Sequence, residues 1–382
     1  MITCDVLIIG GGPSGSSCAL KLRQGGLDVL VLDKAEFPRD KVCAGWITPA
    51  VIEESGLDLA DYRSSRVLQP ITGFRTSLLG GREVATSDNN PVSYGIRRCE
   101  FDHYLLSRCG ARLHLGRSLR KMERMGRSWE VNGEIRAPLV VGAGGHFCPV
   151  ARQFASTGEA ADPAVLAQEI EFEMTPQQAD ECPIVGEIPE LFFYPDLKGY
   201  GWCFRKGNHL NIGVGREGER NLSAYREEFC EFLRSRGRVP FEFAGKFQGH
   251  AYRLYRQTER VVSEDGVLLI GDSAGLAYSQ SGEGIRPAVE SGLLAAEAIL
   301  EARGTYGSEF RKQLHSRMTA RFGRRNASSG ILSLVPEKCV QSVAGLLLTN
   351  TWFTRHVLID CWFLHRHQPP LVEKIVHTSS SR

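Results

Sequence analysis

Apolar positions along this chain follow two rhythms. Continuous runs such as "VLII" at 6–9, "VLVL" at 29–32, "PLVVG" at 138–142 and "GVLLIG" at 266–271 have no polar alternation. Such runs predict strands buried on both faces, as in a parallel sheet. Residues 66–95 and about 160–255 instead alternate apolar with polar and are punctuated by Gly80-Gly81 and Asn89-Asn90-Pro91. That pattern predicts antiparallel strands. A further hairpin is predicted at Asn132-Gly133. Helical spacing covers "CEFDHYLLSRCG", "LSAYREEFCEFLRSRG" and "GEGIRPAVESGLLAAEAILEAR", and a helix is expected to open over Ser16 to Leu22. From about residue 305 the remainder reads as helical.

The order of these runs matters. A simple nicotinamide-dependent dehydrogenase would string its parallel units consecutively. Here the strand-to-glycine pattern returns after long excursions, which predicts one discontinuous domain of residues 1–65, 96–160 and 256–300. Residues 66–95 and 161–255 form a second, largely β lobe, and 301–382 a C-terminal helical region. The expected class is α/β with an α+β second lobe: a Rossmann-like domain carrying an inserted antiparallel sheet.

Between the first strand and the first helix, Gly10, Gly12 and Gly15 form G-x-G-x-x-G with Pro13 and Ser14 inside it. Gly10 permits the turn, Gly12 lets a pyrophosphate approach the backbone, and Gly15 lets helix and strand pack closely. The second strand ends in Asp33-Lys34, at the distance where a carboxylate accepts hydrogen bonds from an adenosine ribose. Strand, turn, helix and acid together read as a dinucleotide site.

Composition narrows the classes further. A formal charge of +2 and 24% charged residues carry no nucleic-acid footprint, and 42% hydrophobic residues argue against disorder. The first strand begins at about residue 3, so no secretory leader is expected ahead of it, and the protein reads as cytoplasmic. Eleven cysteines without C-x-x-C read as reduced thiols, and ten histidines without paired spacing suggest no metal site. No apolar run reaches the length that spans a bilayer.

The motifs "GGGPSG", "PRDKVCAGW", "RRCEFDHYLL", "VGAGGHFCPVAR", "GYGWCFRKG" and "IGDSAGLAYSQSGEGIRPAVESG" resemble the successive signatures of the geranylgeranyl reductase family, FAD-dependent oxidoreductases of p-hydroxybenzoate hydroxylase type. The likeness runs over nearly residues 1–300. It implies FAD, with Asp272 after Gly271 accepting from the ribityl hydroxyls. The turn at Gly282, Gly284 and Ile285 would open a helix whose dipole favours negative charge on the flavin pyrimidine ring. Glu283 within this turn reads as a capping residue. By the same resemblance Arg98 contacts the FAD phosphate region, the alternative being a solvated charge, and Cys43, Ala44, Gly45 and Leu119 join the cofactor site; Arg39 and Lys41 either approach the adenosine half or are surface charges. Cys43 either gates or protonates near the flavin or is an inert thiol. Tyr200 and Trp202, two apart on one strand, line a substrate cavity or simply pack the sheet.

Four positions depart from the pattern. Ala44 replaces a glycine after Cys43, Gly144 replaces the aspartate of the wider hydroxylase group, Cys148 replaces a serine, and Arg205 replaces a proline. The loss at Gly144 favours a reductase over a hydroxylase. The expected activity is reduction of C=C bonds in a prenyl or other lipid-like substrate, with NAD(P)H or a redox protein as electron donor. The rivals are a flavin monooxygenase or halogenase, and a non-catalytic lipid-binding or electron-transfer flavoprotein. The amphipathic stretch "VQSVAGLLLTNTWFTRHVLIDCWFLHRH" covers the substrate mouth, touches the inner membrane surface peripherally, or packs on the body.

Overall fold

A six-stranded sheet carries the first domain in the order Ser263–Glu264, Val267–Leu269, Leu139–Gly142, Val6–Ile9, Val29–Leu32 and Arg112–His114. All neighbours are parallel except the edge pair 263–264 with 267–268, and Val6 lies opposite both Leu139 and Val29. The structure, a computed structural model, describes residues 1–154, 164–218, 221–242, 245–255, 263–324 and 337–371. The expected domain limits at 160/161 and 256 therefore fall on residues outside the described ones.

The apolar runs form strands here because both faces are covered. Helices Pro13–Gln24 and Ile285–Ala302 bury Val6, Ile8, Val29, Val31 and Val141 on one side. Leu7, Ile9, Leu30, Leu32 and Val140 pack with Trp129 and Leu269 on the other. The first helix begins at Pro13, three residues earlier than its apolar spacing indicates. A proline fits the first helical position because its missing N–H has no partner there anyway.

The second sheet has seven strands, ordered Gln248–Tyr252, Val165–Glu173, His209–Glu217, Gly199–Lys206, Glu190–Phe193, Gly73–Leu78 and Val84–Ser87. It is antiparallel except where 190–193 runs parallel to 73–78. One face buries Ile170, Phe192, Cys203, Leu210 and Ile212 with Phe229 and Leu233 of helix Leu222–Ser235. The opposite face presents Phe74, Ala167, Trp202 and Phe204 to Trp46 and Phe363.

Two expectations are corrected. Residues 66–95 do not stay together: Leu68–Ile71 and Trp46–Ile47 both pair with Ser93–Ile96 in a separate three-stranded sheet. Of the alternation over 241–254, residues 243–244 lie outside the described ones, and among the others a strand forms at Gln248–Tyr252, paired with Val165–Glu169.

Beyond helix Ser308–Phe322 the chain forms helix Glu337–Leu348, then a short turn Thr351–Phe353 running into a π-type helix Thr354–Phe363. Phe363 is fully buried against Trp46, Phe193 and Tyr200, with ring centroids at 5.8, 6.2 and 5.6 Å. Among the described residues no helix is long and apolar enough to cross a membrane.

Candidate active site

A cavity of about 480 Å³ runs between the two sheets. Its wall brings together Gly10, Gly12, Pro13, Ser14, Asp33, Lys34, Arg39, Cys43, Ala44, Gly45, Arg98, Leu119, Asp272, Gly282, Gly284 and Ile285, with Tyr200 and Trp202 from the second sheet. Residues more than 270 positions apart in sequence thus share one space. Gly15 and Gly271 are not on the wall. A Cβ on Gly15 would collide with the Gly10 carbonyl, so its role is the close packing of helix on strand. Gly271 is buried behind the wall against Ser14, and its N–H donates to Ser291 Oγ at 3.0 Å.

The dinucleotide end is built by local chemistry. Gly10 adopts φ +117°, a region closed to most side chains. Asp33 accepts from the backbone N–H of Gly11 at 2.7 Å and of Ala35 at 2.8 Å, which pins the glycine turn to the end of the second strand. Helix 13–24 has no side-chain cap and no acid in its first turn, so its leading N–H groups stay available to an anion. A Cβ on Gly12 would meet only Arg39 Nη2, at 3.6 Å, and would instead protrude into the cavity. Arg39 Nη1 and Trp46 Nε1, on residues of the same wall, are buried without a protein partner. An uncapped helix start, a glycine cradle and unpartnered donors are what FAD needs at its pyrophosphate and polar edges, and these residues fit it.

Arg98, expected at the FAD phosphate region, stands on the cavity wall. It makes a two-pronged ion pair with Asp102, both bonds at 2.9 Å, and Arg39 reaches the same carboxylate at 3.2 Å. Burial works against the charge of the guanidinium, yet Asp102 and the nearby Cys43 together raise its pKa. Asp102 is the last residue of "RCEFD", so the one-turn spacing of the pair was visible in the sequence although only its arginine was singled out.

The ring end is aromatic. Tyr200 donates its hydroxyl to Ser281 O at 2.6 Å, and Trp202 donates its indole N–H to Asn211 Oδ1 at 2.7 Å. The Trp202 indole lies over Gly213, where any side chain would collide with it. Burial raises the Tyr200 phenol well above its ordinary value, so it stays protonated. Glu283 accepts from the N–H of Arg286 at 2.7 Å, capping helix 285–302, and burial pushes its carboxyl to about 7.

Sequence reasoning missed several groups. His250 pairs with Lys41, a residue the sequence did single out, and burial drives them to about 2 and about 8 respectively, with Lys41 adding to the effect on His250. Tyr252 joins the wall two residues further on. Behind Cys43 stand Glu169, Glu171, Lys206 and Asn211. Their only sequence signal is period two: 169 and 171, or 250 and 252, share a strand face, but nothing local says which face meets the cofactor.

A discontinuous parallel sheet with a glycine turn, an inserted β lobe and a shared cavity defines an FAD-dependent oxidoreductase, and a family profile described as FAD-dependent oxidoreductase matches residues 5–79. The chain is 30% identical to the menaquinone reductase of Mycobacterium tuberculosis over 322 residues, covering 79% of this chain and 77% of that one. It is 27% identical to the digeranylgeranylglycerophospholipid reductase of Methanocaldococcus jannaschii over 311 residues, 78% and 77% of the two chains. In fold it resembles a geranylgeranyl bacteriochlorophyll reductase-like protein from Thermoplasma acidophilum, with TM-score 0.74 and 20% identity over 98% of this chain and 94% of that one. The chain belongs to the geranylgeranyl reductase family of FAD-dependent oxidoreductases.

Proposed function

We propose that this enzyme saturates carbon–carbon double bonds in the prenyl chain of a lipid. The observation that carries the reading is the continuity of one cavity from the glycine turn to a wall of Trp46, Tyr200 and Trp202, backed by Phe204 and Phe363. A prenyl chain gains roughly 25 cal/mol for each Å² it buries there, and an aromatic wall offers its double bonds no competing polar partner. The names of the relatives, reductases of a prenylated glycerophospholipid and of menaquinone, agree with that substrate class.

When bound and reduced, FAD supplies the two electrons and one hydrogen of the reduction. The residues of this chain do the rest. The N–H groups opening helix 13–24 bind the pyrophosphate, Asp33 the adenosine ribose and Asp272 the ribityl chain. The start of helix 285–302 favours negative charge at the pyrimidine edge. Cys43 and Tyr200 are the groups we assign to hold the second hydrogen as a proton, and Trp202 orients the chain between them. Phe363 and its neighbours exclude water, which an isolated alkene reduction requires.

The finer partners follow the same reading. Leu346, Trp352 and Val343 are 73%, 66% and 55% exposed on the segment that carries Phe363 inward, which supports a peripheral bilayer contact beside the substrate mouth. Electrons come from NAD(P)H or a redox protein. The deciding experiment is anaerobic incubation of the reduced enzyme with geranylgeranyl lipids, read by mass spectrometry. A gain of two hydrogens per bond supports the proposal. No gain, together with a long-lived oxygen adduct on reoxidation, would transfer the enzyme to the monooxygenase class.

A further inference from the structure

Asn211 is fully buried on strand 209–217, and its orientation is settled by Trp202. An indole N–H only donates, so the amide oxygen faces Trp202 and the NH₂ faces the other way. Three acceptors meet that NH₂: Cys43 O at 3.2 Å, Glu171 Oε1 at 3.3 Å and Glu169 Oε2 at 3.5 Å. Two hydrogens cannot serve three acceptors.

Cations do not close the gap at Glu169. Lys206 donates to Glu171 at 2.6 Å and to Ile96 O at 2.9 Å, and Arg97 also reaches Glu171, at 3.4 Å. Glu169 has no salt bridge among the described residues; what faces it are Glu171 on its own strand, Lys206 and Asn211 from neighbouring strands, and the Cys43 backbone N–H from the cofactor domain. A second buried carboxylate beside Glu171 would be repelled and poorly solvated. A proton on Glu169 removes the repulsion and leaves the two Asn211 hydrogens to the two acceptors that still need them, Cys43 O and Glu171.

We propose that Glu169 is held as the neutral acid and, through the backbone of Cys43, positions the Cys43–Gly45 turn against the cofactor. The polar cluster then reads as one device: Glu171 and Lys206 keep a charged pair, Asn211 ties Trp202 to the Cys43 carbonyl, and Glu169 stands against the Cys43 amide. Burial accordingly pushes Glu169 up to about 8, whereas Glu171, despite burial, is kept below its ordinary value by Lys206. Glu169 is a positioning residue, since it is absent from the cavity wall and acts through Cys43.

The inference rests on the flavin-site reading, and its test uses no lipid, so it stands or falls separately from the substrate. The FAD-loaded protein and Glu169→Gln are compared by infrared difference spectroscopy at pH 7. A protonated-carboxyl band in the native protein that the variant lacks, and that titrates away near pH 8, is expected. Carboxylate bands in that difference would overturn the assignment. Alkylation of Cys43 by an uncharged maleimide at fixed pH tests the positioning. Glu169→Ala should react about tenfold faster because the turn opens locally, with Gln restoring a near-native rate. Equal rates in native protein and Ala would overturn it. Should Gln fail to fold, a native protein labelled with carboxyl-¹³C glutamate answers the same question by whether a buried glutamate titrates near 8 and responds to Cys43 alkylation; absence of such a signal overturns the proposal.

Discussion

Trp202 donates its indole N–H to Asn211 Oδ1 at 2.7 Å, and through Asn211 it is tied to the carbonyl of Cys43, 3.2 Å from the amide nitrogen. One side chain thereby couples the aromatic wall of the second sheet to a turn of the cofactor domain. Asn211→Leu leaves the indole N–H and the Cys43 carbonyl without their partners, at a cost of about 2–3 kcal/mol for buried unsatisfied groups. Denaturant unfolding measures the loss, and weaker FAD retention should accompany it.

Gly12 and Gly15 stand three residues apart but answer to different neighbours. Gly15→Ala drives a methyl into the Gly10 carbonyl and should cost ~3 kcal/mol or more, giving little folded protein. Gly12→Ala finds no protein atom nearer than Arg39 Nη2 at 3.6 Å. It should keep the stability of the FAD-free protein within about 1 kcal/mol while lowering FAD affinity at least tenfold, measured by flavin fluorescence titration.

Arg98 and Asp102 are a desolvated pair with Arg39 at its side. Asp102→Asn leaves the buried Arg98 and the half-buried Arg39 short of a counter-charge, and about 3–5 kcal/mol of destabilisation is expected. Because the Arg98 charge acts on the nearby Cys43, the variant should change the maleimide reactivity of Cys43 as well. Unchanged reactivity would separate Arg98 from Cys43.

Burial raises Glu169 from 4.5 to about 8, and burial with the neighbouring Glu290 raises Glu54 to about 8. Folded protein therefore binds protons that the unfolded chain releases between these values. The stabilisation is complete below about 4.5 and is lost as pH rises through about 8. Each group contributes at most about 1.4 kcal/mol per pH unit. The melting temperature should fall from pH 6.5 to 8.5, and Glu169→Gln should make that slope shallower. Parallel slopes for native and variant would contradict it.

Phe363 backs the cavity wall, packed against Trp46, Phe193 and Tyr200. Phe363→Ala opens a void worth about 3–5 kcal/mol of stability. It should also raise KM for a prenyl substrate more than it lowers kcat, since it removes packing from the chain and not from the reacting atoms.

What the sequence determined by itself is local. The turn at Gly10, Gly12 and Gly15, the acid at Asp33, the turn at Asp272 and the strands with period two are set by backbone sterics and by neighbours a few residues away. The early start of the first helix at Pro13 shows the limit of apolar spacing, because the cap was decided by a missing N–H and not by hydrophobicity. Only the tertiary structure decided the rest. Lys41 and His250 are 209 residues apart, and Asn211 meets Cys43 across 168. Such contacts depend on the register of strands paired over long separations and on which sheet face turns toward the cofactor domain. Whether Glu169 or Glu171 keeps its proton depends in turn on where Lys206 and Arg97 end up, because burial penalises whichever charge the fold leaves without a cation.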